Sequence, residues 1–164
     1  MNIKFEKMKN EFVVKSLGTI ESNDGFVVKL KSDFIPALRN ITGFSHLQVI
    51  WWGNKTDDEK SRSVLSTKKP YKKSPEELGI FATRSQFRPN PVLITTVAVL
   101  DIDFDKGLIY IPYIDADPGT PVLDIKPYHK LERVADCCVP DWCSHWPESY
   151  EQAASFNWED EFNF

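Results

Sequence analysis

The stretch that decides the fold reads GIFATRSQFRPN and occupies residues 79–90. It begins with apolar, β-prone residues, which predict a strand. It closes on a Pro-Asn-Pro sequence that can continue neither a helix nor a central strand. The mostly apolar, β-branched residues that follow predict a second strand. We therefore expect a strand, a turn that carries Arg84 and Arg88, and another strand, in the kind of loop where binding and chemistry usually sit.

Short strands separated by turn signals dominate the rest of the chain. The segments whose composition predicts strands are residues 12–20, 26–30, 44–52, 92–104, 107–115 and 122–128. The first pair and the pair beginning at residue 92 are each joined by a turn sequence rich in Asp and Gly, which predicts a hairpin. The segment 44–52 is apolar on both faces and is therefore expected to be central, whereas the last segment predicts a final short strand or a sheet edge.

Helical patterns are few and short. Residues 34–40 predict a helical turn with Pro36 in its first turn, and residues 74–77 resemble the start of a helix. Residues 56–73 are polar and predict a long surface loop. The aromatic tail is expected to form a helix at 150–156 and to pack its Trp and Phe side chains over the barrel or a second subunit.

These patterns predict a mainly β protein. Its first unit, residues 1–130, would be a single β-barrel with short helices. Its second unit, residues 131–164, would be an irregular aromatic C-terminal extension that packs on the barrel or on a dimer partner. The length of 164 residues and the hydrophobic fraction of 41% suit one such core.

Cysteine usage and the absence of long apolar runs indicate the compartment. Cys137, Cys138 and Cys143 are an odd number and are confined to the tail, so a disulfide framework is not expected. Their spacing toward His145 lacks the usual Cys-x-x-Cys pair, so we expect no metal site. No apolar run of about 18 residues and no apolar signal core are present. We therefore expect a cytoplasmic protein.

The charge is distributed unevenly along the chain. The net charge of −4 argues against a strongly basic nucleic-acid binder. However, residues 55–90 contain nine Lys or Arg against five Asp or Glu, and residues 131–164 contain one Arg against eight Asp or Glu. The basic middle could contact phosphate locally. A solvated charged surface is the alternative and is favoured on charge alone.

Two long motifs in the chain resemble the signatures of the TrmO/TsaA-like family. The first is FATRSQFRPNP at residues 81–91, and the second is Asp115 followed by GTPVLDIKPY at residues 119–128. This family comprises methyltransferases built on a β-barrel that use S-adenosylmethionine (SAM), and its best-known activity methylates threonylcarbamoyl-adenosine beside the tRNA anticodon. The resemblance spans residues 12–128 and implies SAM as the cofactor, tRNA as a partner and a homodimer.

The resemblance also implies which residues bind the cofactor. The matched positions are Arg84, Ile94, Asn54, Lys55, Asp117, Gly119, Thr120 and Pro121. We expect Arg84 to bind a carboxylate through its fork of donors, and the alternative is a structural ion pair with Asp115 or Asp117. The turn around Gly119 would offer main-chain donors and acceptors. No glycine-rich nucleotide loop of the Gly-x-Gly-x-x-Gly type is present in the sequence.

The acceptor substrate is expected to contact Arg88, Asn90 and Asp124. For Asn90 the alternative is hydrogen bonding that fixes the proline turn. Asp124 shares a strand face with Lys126, so a salt bridge at the rim is its alternative. His46 is interpreted as a core histidine bonded to the backbone, with general base as the other possibility. No catalytic base is assigned.

The predicted function is SAM-dependent N-methylation of threonylcarbamoyl-adenosine in the tRNA anticodon loop. Methylation of a small molecule is the alternative within catalysis. A SAM sensor or an RNA-binding module without catalysis is the alternative outside it, and the lack of a counterpart to the family's early Pro-Arg-Gln motif favours it. All the SAM-binding versions require the Arg84 turn and the Gly-Thr-Pro turn to meet in one pocket.

Overall fold

The computed structural model describes residues 12–22 and 24–163. Its strands are β1 (Gly18–Ser22), β2 (Phe26–Leu30), β3 (His46–Trp52), β4 (Ser66–Lys68), β5 (Glu77–Gly79), β6 (Val92–Ala98), β7 (Asp101–Asp103), β8 (Leu108–Ile111) and β9 (Pro121–Pro127). Seven of them form one sheet in the order β6-β3-β9-β1-β2-β8-β7, and β4 and β5 form a separate hairpin. The fold is therefore mainly β, as the sequence predicts.

Helices are short in the described residues. The α-helices are α1 (Glu59–Arg62) and α2 (Tyr150–Ala153), and the 3₁₀ helices are Ser32–Leu38, Asn54–Thr56, Ile80–Ala82, Lys130–Glu132, Asp141–Cys143 and Trp158–Asp160. No helix among the described residues is long and apolar enough to span a membrane.

The core lies on the inner face of the sheet. Side chains that point inward are almost fully buried and come from alternate positions of the strands, as the period of two requires. They include Ile20, Val28, Leu47, Val49, Val97, Ile109, Ile111 and Val122. The predicted central position of β3 is confirmed, because it pairs with β6 on one side and β9 on the other. Its burial alternates, however, so β3 is buried mainly on one face.

The hydrogen-bonded sheet does not close on itself. Its two edge strands, β6 and β7, follow one another in the chain and are not paired with each other. Val99 donates its N–H to Ser45 at 2.9 Å on the β3 side, and Leu100 donates to Tyr110 at 2.8 Å on the β8 side. The predicted strand at 92–104 is thus split at these two residues. The structure therefore supports a mainly β fold, while the predicted barrel is not confirmed.

Three other predictions differ from the structure. The first strand begins at Gly18, not at residue 12. Residues 74–77 do not start a helix: the Ser74 hydroxyl donates to the Tyr71 carbonyl at 2.9 Å and closes the β4–β5 hairpin turn instead. The predicted loop at 56–73 contains α1 and β4, because Asp58 accepts the Ser61 N–H at 3.0 Å and caps α1.

Two proline-bearing elements are present at shifted positions. The predicted final strand is β9, and it lies inside the sheet between β1 and β3 rather than at an edge. Its prolines, Pro121 and Pro127, are its terminal residues, where a missing N–H disturbs the ladder least. The predicted helical turn is the 3₁₀ helix Ser32–Leu38, in which Pro36 lies beyond the first turn.

The C-terminal residues contact the described fold at two places. Tyr150 in α2 packs edge-to-face on His46, with ring centroids 5.0 Å apart, and its hydroxyl accepts the N–H of Ala98 at 3.2 Å. Farther along, Trp142, Trp146, Trp158 and Phe162 form an aromatic cluster around Tyr71 of the β4–β5 hairpin. The predicted helix at 150–156 is shorter, ending at Ala153.

Candidate functional site

The loop between β5 and β6 carries the two arginines of the first motif. It begins with the 3₁₀ helix Ile80–Ala82 and continues without regular structure to β6. Thr83 is buried and fixes its start, because its hydroxyl donates to Ile80 O at 2.8 Å and accepts the N–H of Ser85 at 3.2 Å. The predicted strand, cationic turn and strand are therefore present, with a longer and more irregular connection than a tight turn.

Arg84 is exposed at the surface of this loop. Its Nη2 donates to the carbonyl of Ile94 on β6 at 2.6 Å. Among the described residues it forms no ion pair, so the predicted alternative of a structural pair with Asp115 or Asp117 is wrong. A guanidinium has five N–H donors, and this arrangement leaves most of the fork available to a ligand.

Two adjoining pockets lie beside this loop, at the end of β3 that carries Trp52. The arginine pocket has a volume of about 140 Å³ and is lined by Arg84, Arg88, Val92, Leu93, Ile94 and Asp115. The threonine pocket has a volume of about 30 Å³ and is lined by Trp51, Gly53, Asn54, Lys55, Gln86, Asp115, Ala116, Asp117 and Thr120. Asp115 lines both. Gln86 of the arginine loop also shares the second pocket with Thr120 of the Gly-Thr-Pro turn.

Most of the predicted cofactor residues are thus brought together. Arg84 and Ile94 line the arginine pocket, and Asn54, Lys55, Asp117 and Thr120 line the threonine pocket. Gly119 and Pro121 flank Thr120 in the chain without lining either pocket.

Lys55 and Asp117 form an ion pair in the threonine pocket. Their Nζ and Oδ2 atoms are 2.8 Å apart, and the two side chains are 62% and 60% exposed. Exposed ion pairs contribute little to stability. The two charges can therefore be redirected to a ligand at low cost.

The Gly-Thr-Pro turn is held by its own main chain. Gly119 has a φ of 87°, which favours glycine. Its N–H donates to Ile20 at 2.7 Å, and the Thr120 N–H donates to Asp117 at 3.1 Å. Since Pro121 has no N–H, the prediction that this turn offers free main-chain donors is wrong. What it can offer a ligand are acceptors.

Asp115 is the site residue that the sequence reasoning quoted only as part of a motif. The Thr95 hydroxyl donates to its Oδ1 at 2.5 Å, and the Trp51 indole N–H donates to Thr95 at 3.0 Å. Trp51 is buried, so the relay starts from a rigid point. Asp115 Oδ2 receives no hydrogen bond from the described residues. A signal was available in the sequence, since Asp115 opens the second motif.

The proline turn is fixed by Arg62 of α1. Its Nε donates to Pro89 O at 2.9 Å, and its Nη2 donates to Asn90 Oδ1 at 3.1 Å. Its Nη1 also pairs with Asp57 at 2.9 Å. The side chain of Asn90 is therefore engaged in holding the turn, which is the alternative stated for it above.

Arg88 faces the arginine pocket and is held more loosely. Its Nη1 donates to Ser85 O at 3.3 Å and to Thr83 O at 3.5 Å. Its guanidinium carbon also lies 6.0 Å from the centre of the exposed Phe81 ring, within reach of a cation–π interaction. Long bonds of this kind allow the side chain to reorient toward an anion.

Asp124 and His46 are not part of either pocket. Asp124 forms a salt bridge with Lys126 at 2.6 Å, and its hydrogen bond and charge raise the pKa of Lys126. The rim salt bridge is therefore the arrangement present. His46 is half-buried and shares a 2.9 Å hydrogen bond with the Ser45 hydroxyl. The prediction that it is bonded to the backbone is wrong, and it lies at the opposite end of β3 from the pockets.

The chain is similar to proteins of known family. The sequence profile described as the tRNA-methyltransferase O N-terminal domain matches residues 9–133. A "Probable S-adenosyl-L-methionine-binding protein" of Methanocaldococcus jannaschii is 33% identical over 116 residues, which cover 70% of this chain and 90% of the relative. The "tRNA (adenine(37)-N6)-methyltransferase" of Escherichia coli is 32% identical over 128 residues, which cover 75% of this chain and 52% of the relative.

A solved structure has the same fold. The crystal structure of TrmO from Pseudomonas aeruginosa superposes with a TM-score of 0.62 at 26% identity, covering 84% of this chain and 63% of that one. The chain therefore spans about half of the E. coli enzyme and somewhat under two thirds of the crystallised protein. The match of the family profile to most of the chain shows that it belongs to the family of the tRNA-methyltransferase O N-terminal domain.

Proposed function

We propose that this chain binds SAM across the two adjoining pockets and transfers the methyl group to N6 of threonylcarbamoyl-adenosine in the tRNA anticodon loop. Family membership and the names of the M. jannaschii and E. coli relatives support this activity. The observation that carries it is the position of Asp115, which lines both pockets and so joins the Arg84 loop to the Gly-Thr-Pro turn.

The residues of the pockets fit the chemical groups of SAM. Arg84 has spare donors for the carboxylate, and Asp115 has an unused carboxylate oxygen for a cationic group. Ligand pockets commonly measure about 300–1,000 Å³, and the two pockets are smaller, at about 140 and 30 Å³. The cofactor would therefore lie along the open rim that joins them. Asn54, Ile94, Gly119 and Pro121 are proposed to border it.

Catalysis in this proposal rests on positioning. SAM supplies an electrophilic methyl group on a sulfonium, which is already a good leaving group. Arg84 orients the cofactor by its carboxylate, and the Trp51–Thr95 relay holds Asp115 beside the acceptor nitrogen, where a carboxylate can accept an N–H. Holding both reactants in line lowers the barrier because orientation is arranged before the reaction.

Arg88 is the residue best suited to contact the tRNA. It faces the same pocket as Arg84, and two exposed aromatic side chains, Phe81 and Phe87, lie in the same loop. Guanidinium groups bind phosphate, and aromatic rings stack on unpaired bases. Asn90 and Asp124 remain proposed substrate contacts on the resemblance alone, since both are engaged in contacts within the chain.

The larger assembly follows the resemblance. We infer that the sheet acts as a barrel whose wall is completed by the continuous chain from β6 to β7. We also infer that residues 1–130 form the barrel unit with 131–164 as its extension, and that the protein is a cytoplasmic homodimer. The hydrogen bonds of Val99 and Leu100 to opposite edges of the sheet support the first of these inferences.

The test is methyl transfer to defined tRNA. The protein is incubated with radiolabelled SAM and tRNA that carries threonylcarbamoyl-adenosine, with the same tRNA lacking the modification as the matched control. Incorporation into the modified tRNA alone, at N6 by mass spectrometry of the nucleosides, would support the proposal. Incorporation into both tRNAs, or into neither, would contradict it.

A second candidate is a SAM-binding protein that does not catalyse transfer. Its supporting observation is coverage: the chain matches 90% of the M. jannaschii binding protein but 52% of the E. coli methyltransferase. Binding of SAM by calorimetry, without transfer to total tRNA or to small-molecule acceptors, would favour this function.

A further inference from the structure

Arg84 is fixed at both of its ends. Its guanidinium is held by the carbonyl of Ile94 at 2.6 Å. At the other end, its main-chain N–H faces the phenol of Tyr71, which projects from the turn of the β4–β5 hairpin. Burial raises the pKa of Tyr71, whereas this N–H and the Arg84 charge oppose the rise, as expected of groups next to the hydroxyl.

The ring of Tyr71 is held by the aromatic cluster. It stacks on Trp142 with centroids 5.4 Å apart and planes 12° apart. Trp146 meets it edge-on at 4.9 Å, and Phe162 packs on it at 5.7 Å. Only 9% of Tyr71 is exposed. Three aromatic contacts on one ring leave its hydroxyl little freedom to move.

The main chain of the C-terminal residues reinforces this packing. An antiparallel bridge joins Tyr71 to Phe162, and on either side of it Lys72 N donates to Glu161 O at 2.9 Å and Asn163 N donates to Pro70 O at 3.1 Å. The Asn163 side chain also donates to Lys69 O at 2.9 Å. The hairpin turn is thus paired with the C-terminal residues as if with an additional strand.

The carboxylate of Glu161 closes the same contact from inside. It accepts the Trp146 indole N–H at 3.1 Å and shares a 2.8 Å hydrogen bond with His145. Glu161 is itself 9% exposed. The cluster is therefore a built unit with its buried polar groups paired. It lies beyond residue 133, where the match to the family profile ends.

We propose that Tyr71 is a positioning residue for Arg84, and that the aromatic cluster, by holding Tyr71, sets how tightly the site binds the carboxylate of SAM. The inference rests on the carboxylate-binding role proposed for Arg84. Its physical basis is preorganisation: an arginine whose backbone is already fixed loses less conformational freedom when its side chain engages a ligand.

The chain offers a closely matched pair of variants for the test. Tyr71→Phe removes the hydroxyl beside Arg84 and keeps the ring in the cluster. Tyr150→Phe removes a phenol that accepts another main-chain N–H, that of Ala98 at 3.2 Å, at the opposite end of β3 from the site. Both are compared by calorimetry of SAM binding, alone and combined with Arg84→Ala, and by thermal unfolding.

We expect Tyr71→Phe to raise the Kd for SAM about three- to tenfold, the scale of one hydrogen bond. Tyr150→Phe should leave the Kd unchanged. In the Arg84→Ala background, Tyr71→Phe should have no further effect, because the residue it positions is gone. Decarboxylated SAM should bind wild type and Tyr71→Phe equally, a result that a general loss of packing would not produce.

The outcomes separate this inference from the proposed function. If Arg84→Ala weakens binding and Tyr71→Phe does not, the positioning role is wrong and the site stands. If Tyr71→Phe weakens binding equally with and without Arg84, Tyr71 acts by another route and the inference fails. If Arg84→Ala leaves the Kd unchanged, the carboxylate role of Arg84 is wrong and the inference falls with it.

Discussion

The rim that carries the two pockets and the aromatic cluster behind it are stabilised in different ways. At the rim, the contacts are polar and exposed: the Lys55–Asp117 pair is about 60% exposed on both sides, and Arg88 is held by bonds of 3.3 and 3.5 Å. In the cluster, aromatic rings pack around Tyr71, and Glu161 is 9% exposed. A ligand can displace contacts of the first kind. Those of the second kind provide the fixed support.

This difference has a consequence for how variants should behave. Changes in the cluster should act on the free energy of unfolding, and changes at the rim should act on binding with little effect on stability. The following predictions test that division, beginning with the largest expected effect.

Trp146→Ala should destabilise the protein most. The indole contacts Tyr71, Trp142 and Trp158 and donates to Glu161. Removing a packed Trp typically costs about 3 kcal/mol or more. Urea unfolding followed by far-UV circular dichroism gives the change. Trp146→Phe, which keeps a ring and loses only the N–H, should cost about 1 kcal/mol. Equal costs for the two variants would mean that packing is not the source of stability.

Arg84→Ala should weaken SAM binding by about ten- to a hundredfold, the range for a lost charge-assisted hydrogen bond. The unfolding midpoint should change little, because the side chain is exposed. Calorimetry and thermal unfolding measure the two effects. Arg84→Lys keeps the charge and loses the fork, so its Kd should lie between those of wild type and Arg84→Ala. A large fall in the melting temperature with unchanged Kd would reverse the division proposed here.

Thr95→Val should reduce methyl transfer while costing about 1 kcal/mol of stability. The substitution removes the hydroxyl that orients Asp115 and leaves the buried Trp51 N–H without its partner. Single-turnover transfer and urea unfolding provide the readouts. Thr96→Val is the control, because the Thr96 hydroxyl makes no hydrogen bond with the described residues. If both variants transfer methyl groups at the same rate, the relay to Asp115 has no role.

Glu161 should make the stability of the cluster depend on pH. Hydrogen bonds from Trp146 and then His145 lower the pKa of Glu161 below its usual value. A carboxyl whose pKa is lower in the folded state contributes stability that is complete above the unfolded pKa, about 4.3, and is lost as the pH falls through the folded value. The urea midpoint of wild type should therefore decline more steeply below pH 5 than that of Glu161→Gln. The control is Glu159→Gln, which should follow wild type.

Lys55→Ala should have the smallest effect on folding. An exposed ion pair is worth less than about 0.5 kcal/mol, and both partners here are more than half exposed. Thermal unfolding in low and high salt should give nearly the same midpoint for the variant and wild type. A drop of several degrees would show that the rim is part of the rigid support after all.

Local pattern was sufficient for the strands and for the family. Alternating β-branched residues predicted β2, β3 and β6, and the Asp-Lys-Gly turn predicted the β7–β8 hairpin. Pattern was misleading at Ser74, where a serine–proline–acid sequence resembled a helix cap. There the Tyr71 carbonyl takes the serine hydroxyl, and pairing with β4 draws residues 77–79 into a strand.

The site was predictable at the level of motifs and not at the level of roles. Arg84 was singled out with its partner wrongly offered as an aspartate, because its true acceptor, the carbonyl of Ile94, has no signature in a sequence. Asp124 looked equivalent to Asp115 in the same motif. Only the fold distinguishes them, since Asp115 borders both pockets and Asp124 is paired with Lys126 on β9.

The sequence by itself determined the mainly β composition, the two motifs and the separation of a basic middle from an acidic, aromatic end, because these depend on residue type and near neighbours. Only the tertiary structure decided that the C-terminal rings surround Tyr71 and that Tyr71 stands behind Arg84. Those contacts join residues from about 60 to 90 positions apart, and no local preference encodes such a distance. They form because burying the rings against one another stabilises the fold wherever the chain can bring them together.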